Sequence, residues 1–273
     1  MVLPALCFVV DWSAPGAPYS GAKANNPAPR RLFKTAHSTC GVKQKSEVDA
    51  FLAAHGWLSY TTADFRAAVL ARTVLHEFGK GEPVYRAGDP LGGIWALVDG
   101  AVEIESGSPD FAPHLMHFGV PGFWFGEGPL VFGVRRLVTV TASRASTLVT
   151  LPLGDCHAIL EVDPGNWRWI ALLCGMTTEL AAGVVADLLL RDPVQRTAAL
   201  LLRLAGVRSK VFPSDSPTPI YLSQEKLAGL VNLSRNSIIP VLREFERSGY
   251  IEISYGSIRL TNVRGLGATI AER

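Results

Sequence analysis

Clustered thiols are missing from this sequence. Its four cysteines, Cys7, Cys40, Cys156 and Cys174, are scattered and form no Cys-x-x-Cys pair. That excludes a thiolate-held iron–sulfur sensor and fits free thiols in a reducing cytoplasm. Charge is also sparse, at 18% against 48% hydrophobic residues, which describes a folded chain and not a disordered one. No unbroken run of 18 apolar residues occurs, so no transmembrane helix and no membrane partner are expected. The apolar start MVLPALCFVV has no positively charged lead and makes a poor signal peptide. Neither a phosphate-cradling Walker loop nor a Gly-x-Ser-x-Gly elbow is present. His114 and His117 lie three apart on an expected strand, where alternation sends them to opposite faces. His55, His76 and His157 have no recognisable partner spacing. A cupin-type metalloenzyme is therefore a minor alternative, and no enzyme is expected.

What is present divides the 273 residues into pieces. Residues 1–46 are rich in Pro, Gly, Ala and Asn without a lasting period, and read as a flexible extension. From Glu47, EVDAFLAAHGWLSYTTADFRAAVLARTVLHEF reads as short helices, one capped near Thr62 or Asp64. Next come short alternating segments broken at Gly81, Gly88-Asp89-Pro90, Gly92-Gly93 and Asp99-Gly100. Evenly spaced strands with such turns predict an antiparallel jelly roll or barrel, placed at residues 47–160. Residues 161–192 read as a long helix. Ile170, Leu173, Thr177, Leu180, Val184 and Leu188 recur at spacings of three and four, close to a coiled-coil seam. Arg191-Asp192-Pro193 closes that helix, and Pro193 can open the next.

Residues 193–273 carry the clearest pattern. LSQEKLAGLV and RNSIIPVLREFERSG are two amphipathic helices with Ser223 and Ser234 as caps, separated by NLS. YIEISYGSIRLTN then alternates, turns at Tyr255-Gly256 and alternates again, forming a hairpin wing. Helix, turn, helix and wing in this order predict a winged helix that binds double-stranded DNA. The first turn after Ser234 would reach base edges, since arginine can grip guanine and asparagine can pair with adenine. Arg235 and Asn236 stand there, with Gln224, Ser234, Ser237 and Arg243 as further phosphate or edge contacts. This region holds 11 Lys and Arg against 6 Asp and Glu, a net +5 that leaves −3 for the rest of the +2 chain. Pro240, inside the second helix, removes one helical hydrogen bond, and a bend is expected there.

The string LSQEKLAGLVNLSRNSIIPVLREFERSGYI resembles the recognition segment of the Crp/Fnr family of bacterial transcription regulators. The resemblance implies an α+β chain: an N-terminal cyclic-nucleotide-binding-like β-roll, a dimerisation helix and a C-terminal winged helix-turn-helix. It further implies a cytoplasmic homodimer that works with RNA polymerase. Pro240 departs from the family, whose cyclic AMP receptor branch typically has a second base-reading arginine there. FGEGPLVFGVRRLVTVTA looks like the family's phosphate cassette, with Gly126, Glu127 and Arg136 at the matching places. Leu137 replaces the small hydroxyl residue usual in cyclic AMP binders, and Ala181 and Ala182 stand where the long helix would contact the base. A cyclic nucleotide is thus one candidate effector among others, and Glu127 with Arg136 could equally form a structural ion pair. The rival reading of the whole chain is a sensor or scaffold whose winged helix contacts protein in place of DNA.

Overall fold

A computed structural model of the chain describes residues 44–107, 113–209, 217–254 and 256–271. The extension expected at 1–46 lies almost wholly outside the described residues, as do Cys7, Cys40 and Tyr255; Lys45 already opens the first helix. In chain order the sensor part comprises α1 (Lys45–Ala54), α2 (Ala63–Leu70), β1 (Val74–Phe78), β2 (Pro83–Tyr85), β3 (Ile94–Asp99), β4 (Val102–Ser106), β5 (Leu115–Gly119), β6 (Trp124–Phe125), α3 (Gly128–Phe132), β7 (Val138–Ala142), β8 (Ser146–Leu151) and α4 (Leu153–Val162). The long helix α5 (Trp167–Leu188) follows a single 3-10 turn. The C-terminal part comprises α6 (Pro193–Leu204), α7 (Gln224–Leu230), α8 (Arg235–Arg247), β9 (Ile251–Ser254), β10 (Ser257–Leu260) and α9 (Val263–Ala271).

The strands form two antiparallel four-stranded sheets, ordered β1-β8-β3-β6 and β2-β7-β4-β5, with the jelly-roll architecture expected. Turn chemistry sets the register. Gly100 between β3 and β4 has φ +94°, and a Cβ there would sit 2.2 Å from Ser146 Oγ, so only glycine fits the Asp99-Gly100 turn. One core lies between the sheets, around Tyr85, Leu97, Val102 and Phe125. A second lies where α1, α2, α4 and α5 cover the β1-β8-β3-β6 sheet, with Trp57 and Trp124 edge-to-face at 5.1 Å. Trp57 Nε1 also donates to Trp169 O at 2.7 Å, fastening α5 to this layer.

The seam expected on α5 is only partly free. Ile170 and Leu173 are buried in the sensor core, because the helix must cover its own sheet first. The outward face instead carries Ala171, Gly175, Thr178, Ala182, Val185 and Leu189, spaced 4-3-4-3-4. By length and composition the stretch Pro164–Leu188, with mean hydropathy 1.6, could also cross a membrane, and 11% of its most apolar window is buried.

Asp192 caps α6, accepting from Val194 N at 2.8 Å, and Pro193 fills its first position. Arg196 ties this joint together, donating to Leu190 O at 2.7 Å and to Val231 O at 2.8 Å. The winged-helix core of Leu200, Leu201, Leu227, Ile238, Leu242 and Phe245 extends into the roll, where Ala101 and Phe118 belong to the same cluster. β9 and β10 pair antiparallel as the wing.

Pro240 does not interrupt α8, which runs unbroken from Arg235 to Arg247. Proline at this point removes the donor to Asn236 O and costs about 3 kcal/mol. Ile238, Leu242 and Phe245 are each at most 1% exposed, and burying such side chains returns about 1.5 to 3 kcal/mol apiece, so packing outweighs the lost bond. Pro240 itself faces solvent. Replacing Pro240→Ala is expected to stabilise the fold by about 1 to 3 kcal/mol, seen as a higher urea midpoint with unchanged slope. An unchanged midpoint would mean that the helix carries no proline cost.

Candidate DNA interface and sensor cassette

The start of α8 is built as an exposed, capped N-terminus. Ser234 Oγ accepts from Ser237 N at 3.1 Å and meets Ser237 Oγ at 2.8 Å. Asn232 in the preceding turn takes φ +52°, one of the few left-handed positions that asparagine tolerates. Capping leaves the Arg235 and Asn236 N–H groups facing outward at the positive end of the helix. Ser234, Arg235, Asn236, Ser237 and Arg243 are all exposed, while Gln224, first in α7, is half-buried. Ser223 caps α7, accepting from Lys226 N at 3.2 Å. Sequence reading placed these six residues at DNA, and they lie on α7, α8 and the turn between them.

It missed how that surface is held. Lys226 Nζ reaches Glu103 of β4, with both carboxylate oxygens at 2.5 and 2.6 Å. Arg144, in the β7–β8 turn, stacks its guanidinium 5.0 Å from the Tyr221 ring. With Phe118 in the shared core, these contacts dock the reading head against the roll. Nothing in the local sequence announces such pairings, whose partners are more than 70 residues apart.

At the cassette, Gly126 has φ +88° and Glu127 leads into α3. Arg136 is 5% exposed and makes no ion pair with Glu127. Instead its Nη1 donates to Gly126 O at 2.8 Å, its Nη2 to Gly93 O at 2.7 Å, and its guanidinium stacks 4.2 Å over Tyr85. Two glycines make room for it: a Cβ on Gly92 or Gly126 would fall 2.5 or 2.7 Å from the guanidinium. The Gly92-Gly93 pair, read as a mere strand break, is half of this cradle. Burial pushes Arg136 below the ordinary arginine range and Tyr85 above the ordinary tyrosine range, with Arg136 opposing the tyrosine shift. Leu137 is 63% exposed, and Ala181 and Ala182 are exposed on α5.

Strand alternation does not decide the His114–His117 pair, because His114 lies before the start of β5. His114 is exposed outside β5, while His117 is enclosed and held down to about 3 by burial and by Arg203. Among the described residues no group of three or more His, Cys, Asp or Glu is placed to hold a metal ion. Burial pushes the Cys156 thiol up to about 11.

Fold and sites together define a sensor roll joined to a DNA-reading head. Comparison with known proteins agrees: residues 195–269 match the Crp-like helix-turn-helix domain, and residues 75–163 match the cyclic nucleotide-binding domain. The HTH-type transcriptional regulator Cmr of Mycobacterium tuberculosis is 25% identical over 214 residues, covering 74% of this chain and 78% of that protein. A CRP-like cAMP-activated global transcriptional regulator of the same organism is 22% identical over 215 residues, covering 79% and 96%. Among solved structures, a CRP/FNR-family regulator from Thermus thermophilus gives a TM-score of 0.54 at 24% identity, covering 73% of this chain and all of that one. FixK2 of Bradyrhizobium japonicum gives 0.61 at 17%, covering 72% and 96%. The chain belongs to the Crp/Fnr family of transcription regulators.

Arg136→Ala removes two charge-assisted hydrogen bonds and leaves the Gly93 and Gly126 carbonyls without their donor. It is expected to cost about 3 kcal/mol in urea unfolding. A loss below about 0.5 kcal/mol would show that this arginine is not part of the scaffold.

Proposed function

We propose that the protein is a homodimeric, sequence-specific DNA-binding regulator whose first turn of α8 reads base edges. The observation that carries this is the exposed, Ser234-capped helix start bearing Arg235 and Asn236. In this reading Arg235 grips a guanine, Asn236 pairs with an adenine, and Gln224, Ser234, Ser237 and Arg243 contact phosphates or neighbouring edges. Pro240 takes no part in base reading, so the operator is specified by fewer contacts per half-site than in relatives with an arginine there. Acting on the chromosome with RNA polymerase places the protein in the cytoplasm.

Two reading heads must meet half-sites about 34 Å apart, which a dimer built on α5 supplies. The 4-3-4-3-4 face of Ala171, Gly175, Thr178, Ala182, Val185 and Leu189 is its seam. Small residues at its first positions allow the two helices to approach closely, while Val185, 58% exposed, and Leu189, 76% exposed, supply apolar area. The domains in this reading are the roll at 47–160, the dimer helix at 161–192 and the winged helix at 193–273.

A cyclic nucleotide is not favoured as effector. A phosphate at the cassette would compete with two backbone carbonyls for Arg136, Leu137 offers it no hydroxyl, and Ala181 and Ala182 give the base no polar partner. Each unpartnered polar edge costs about 1 to 3 kcal/mol.

Random-oligonucleotide selection is expected to return a two-fold symmetric site. Arg235→Ala should weaken that site by about 1 to 3 kcal/mol and relax one base pair per half-site. An unchanged preference would refute the reading, as would binding that does not weaken with rising salt. Val185→Glu should shift sedimentation from dimer to monomer and lower operator affinity; a variant that stays dimeric would move the seam elsewhere.

A further inference from the structure

A cavity of about 640 Å³ opens between β5 and β6 of the roll, the inward side of α5 and the end of α6. Its walls are largely apolar, with Trp57, Phe118, Phe123 and Trp124 from the sensor part and Met176 and Leu180 from α5. None of Tyr85, Gly92, Gly93, Glu127 or Arg136 lines it, so it lies apart from the phosphate cassette, and Ala182 is the one lining residue it shares with the stretch of α5 expected at a nucleotide's base. Its size falls in the range of small-molecule sites, which typically pair an apolar lining with a few placed polar groups.

Those polar groups are present and unsatisfied. Trp124 Nε1, His117 Nδ1 and Arg203 Nη1 are buried without a hydrogen-bond partner, and all three belong to residues lining this one cavity. Buried polar atoms are nearly always paired, and each orphan costs about 1 to 3 kcal/mol. Arg203 is the strongest of the three. Its side chain is 8% exposed, its Nε donates to Asp187 Oδ2 at 2.9 Å, and its Nη1 is left over. Asp187, 2% exposed and not part of the cavity lining, also pairs with Arg208, so the carboxylate beside Arg203 is already shared between two guanidiniums. Glu179, at the cavity wall, accepts from Ser209 Oγ at 2.9 Å. The vacancy is therefore for an acceptor, and an anionic one is favoured.

We infer that this cavity binds an aromatic small molecule bearing one carboxylate, its rings against the tryptophan and phenylalanine wall and its carboxylate accepting from Arg203 Nη1 and Trp124 Nε1. Such a ligand would touch the roll, the long helix and the first helix of the reading head at once. It would thereby set how the head sits on the sensor, through a site apart from the phosphate cassette.

The test is titration calorimetry on the full chain with three naphthalene probes of one shape: 1-naphthylacetate, its neutral amide, and 1-naphthylmethylamine. The readout does not involve DNA, so it stands apart from the reading of α8. Expected is saturable binding of one carboxylate per chain, with the amide at least about tenfold weaker and the amine without saturable binding. Gly183→Leu supplies the cavity-filling control. Gly183 lines the cavity within α5, a Cβ there meets only Arg203 Cδ at 3.6 Å, and leucine is the better helix former, so the variant should fold and lose the binding. Excess cyclic AMP should leave naphthylacetate binding unchanged. No saturable binding of the carboxylate, equal affinity for carboxylate and amide, binding retained in Gly183→Leu, or displacement by cyclic AMP would each overturn the proposal.

Discussion

A long helix that is apolar on two sides covers one of them with its own sensor layer, and the rest of the described molecule is arranged around that contact. α5 buries Ile170 and Leu173 against the sensor layer and leaves Val185, Leu188 and Leu189 open. Among the described residues no element covers these three side chains, whose burial would contribute about 25 cal/mol per Å². The roll, the joint at Pro193 and the reading head therefore hang from a helix whose position is set by its contacts with the sensor layer.

The second constraint is the continuity of the core across the two parts. Phe118 is a roll residue by sequence, yet it packs with the winged-helix leucines. The head is thus seated rather than tethered, with Lys226–Glu103 and Arg144–Tyr221 at the margin of the seat. Lys226 is half exposed but Glu103 is buried, so losing the lysine would leave a buried carboxylate without its partner.

Local features were legible in the sequence because they are written in local chemistry. Ser223 and Ser234 declared the helix starts, and the alternation around Ile251 and Ile258 the wing. Periodicity found α5, but both of its stripes are apolar, and only the fold says that the roll consumes Ile170 and Leu173 of the expected seam. The cassette was half visible: Gly126 and Arg136 stood out as a motif, while Gly92 and Gly93, some 40 residues away, did not. The orphaned nitrogens of His117, Trp124 and Arg203 had no sequence signal, because lacking a partner is a property of three-dimensional neighbours.

Arg196 gives the joint after α5 its mechanical character. By gripping carbonyls at Leu190 and Val231 together, one guanidinium spans the exit of the long helix and the exit of α7. The two-residue kink at Arg191-Asp192 is consequently braced like a gusset at the corner of a frame. Twisting the long helix should turn the helix-turn-helix as one stiff bracket, so that small rotations near the sensor arrive at the DNA undamped.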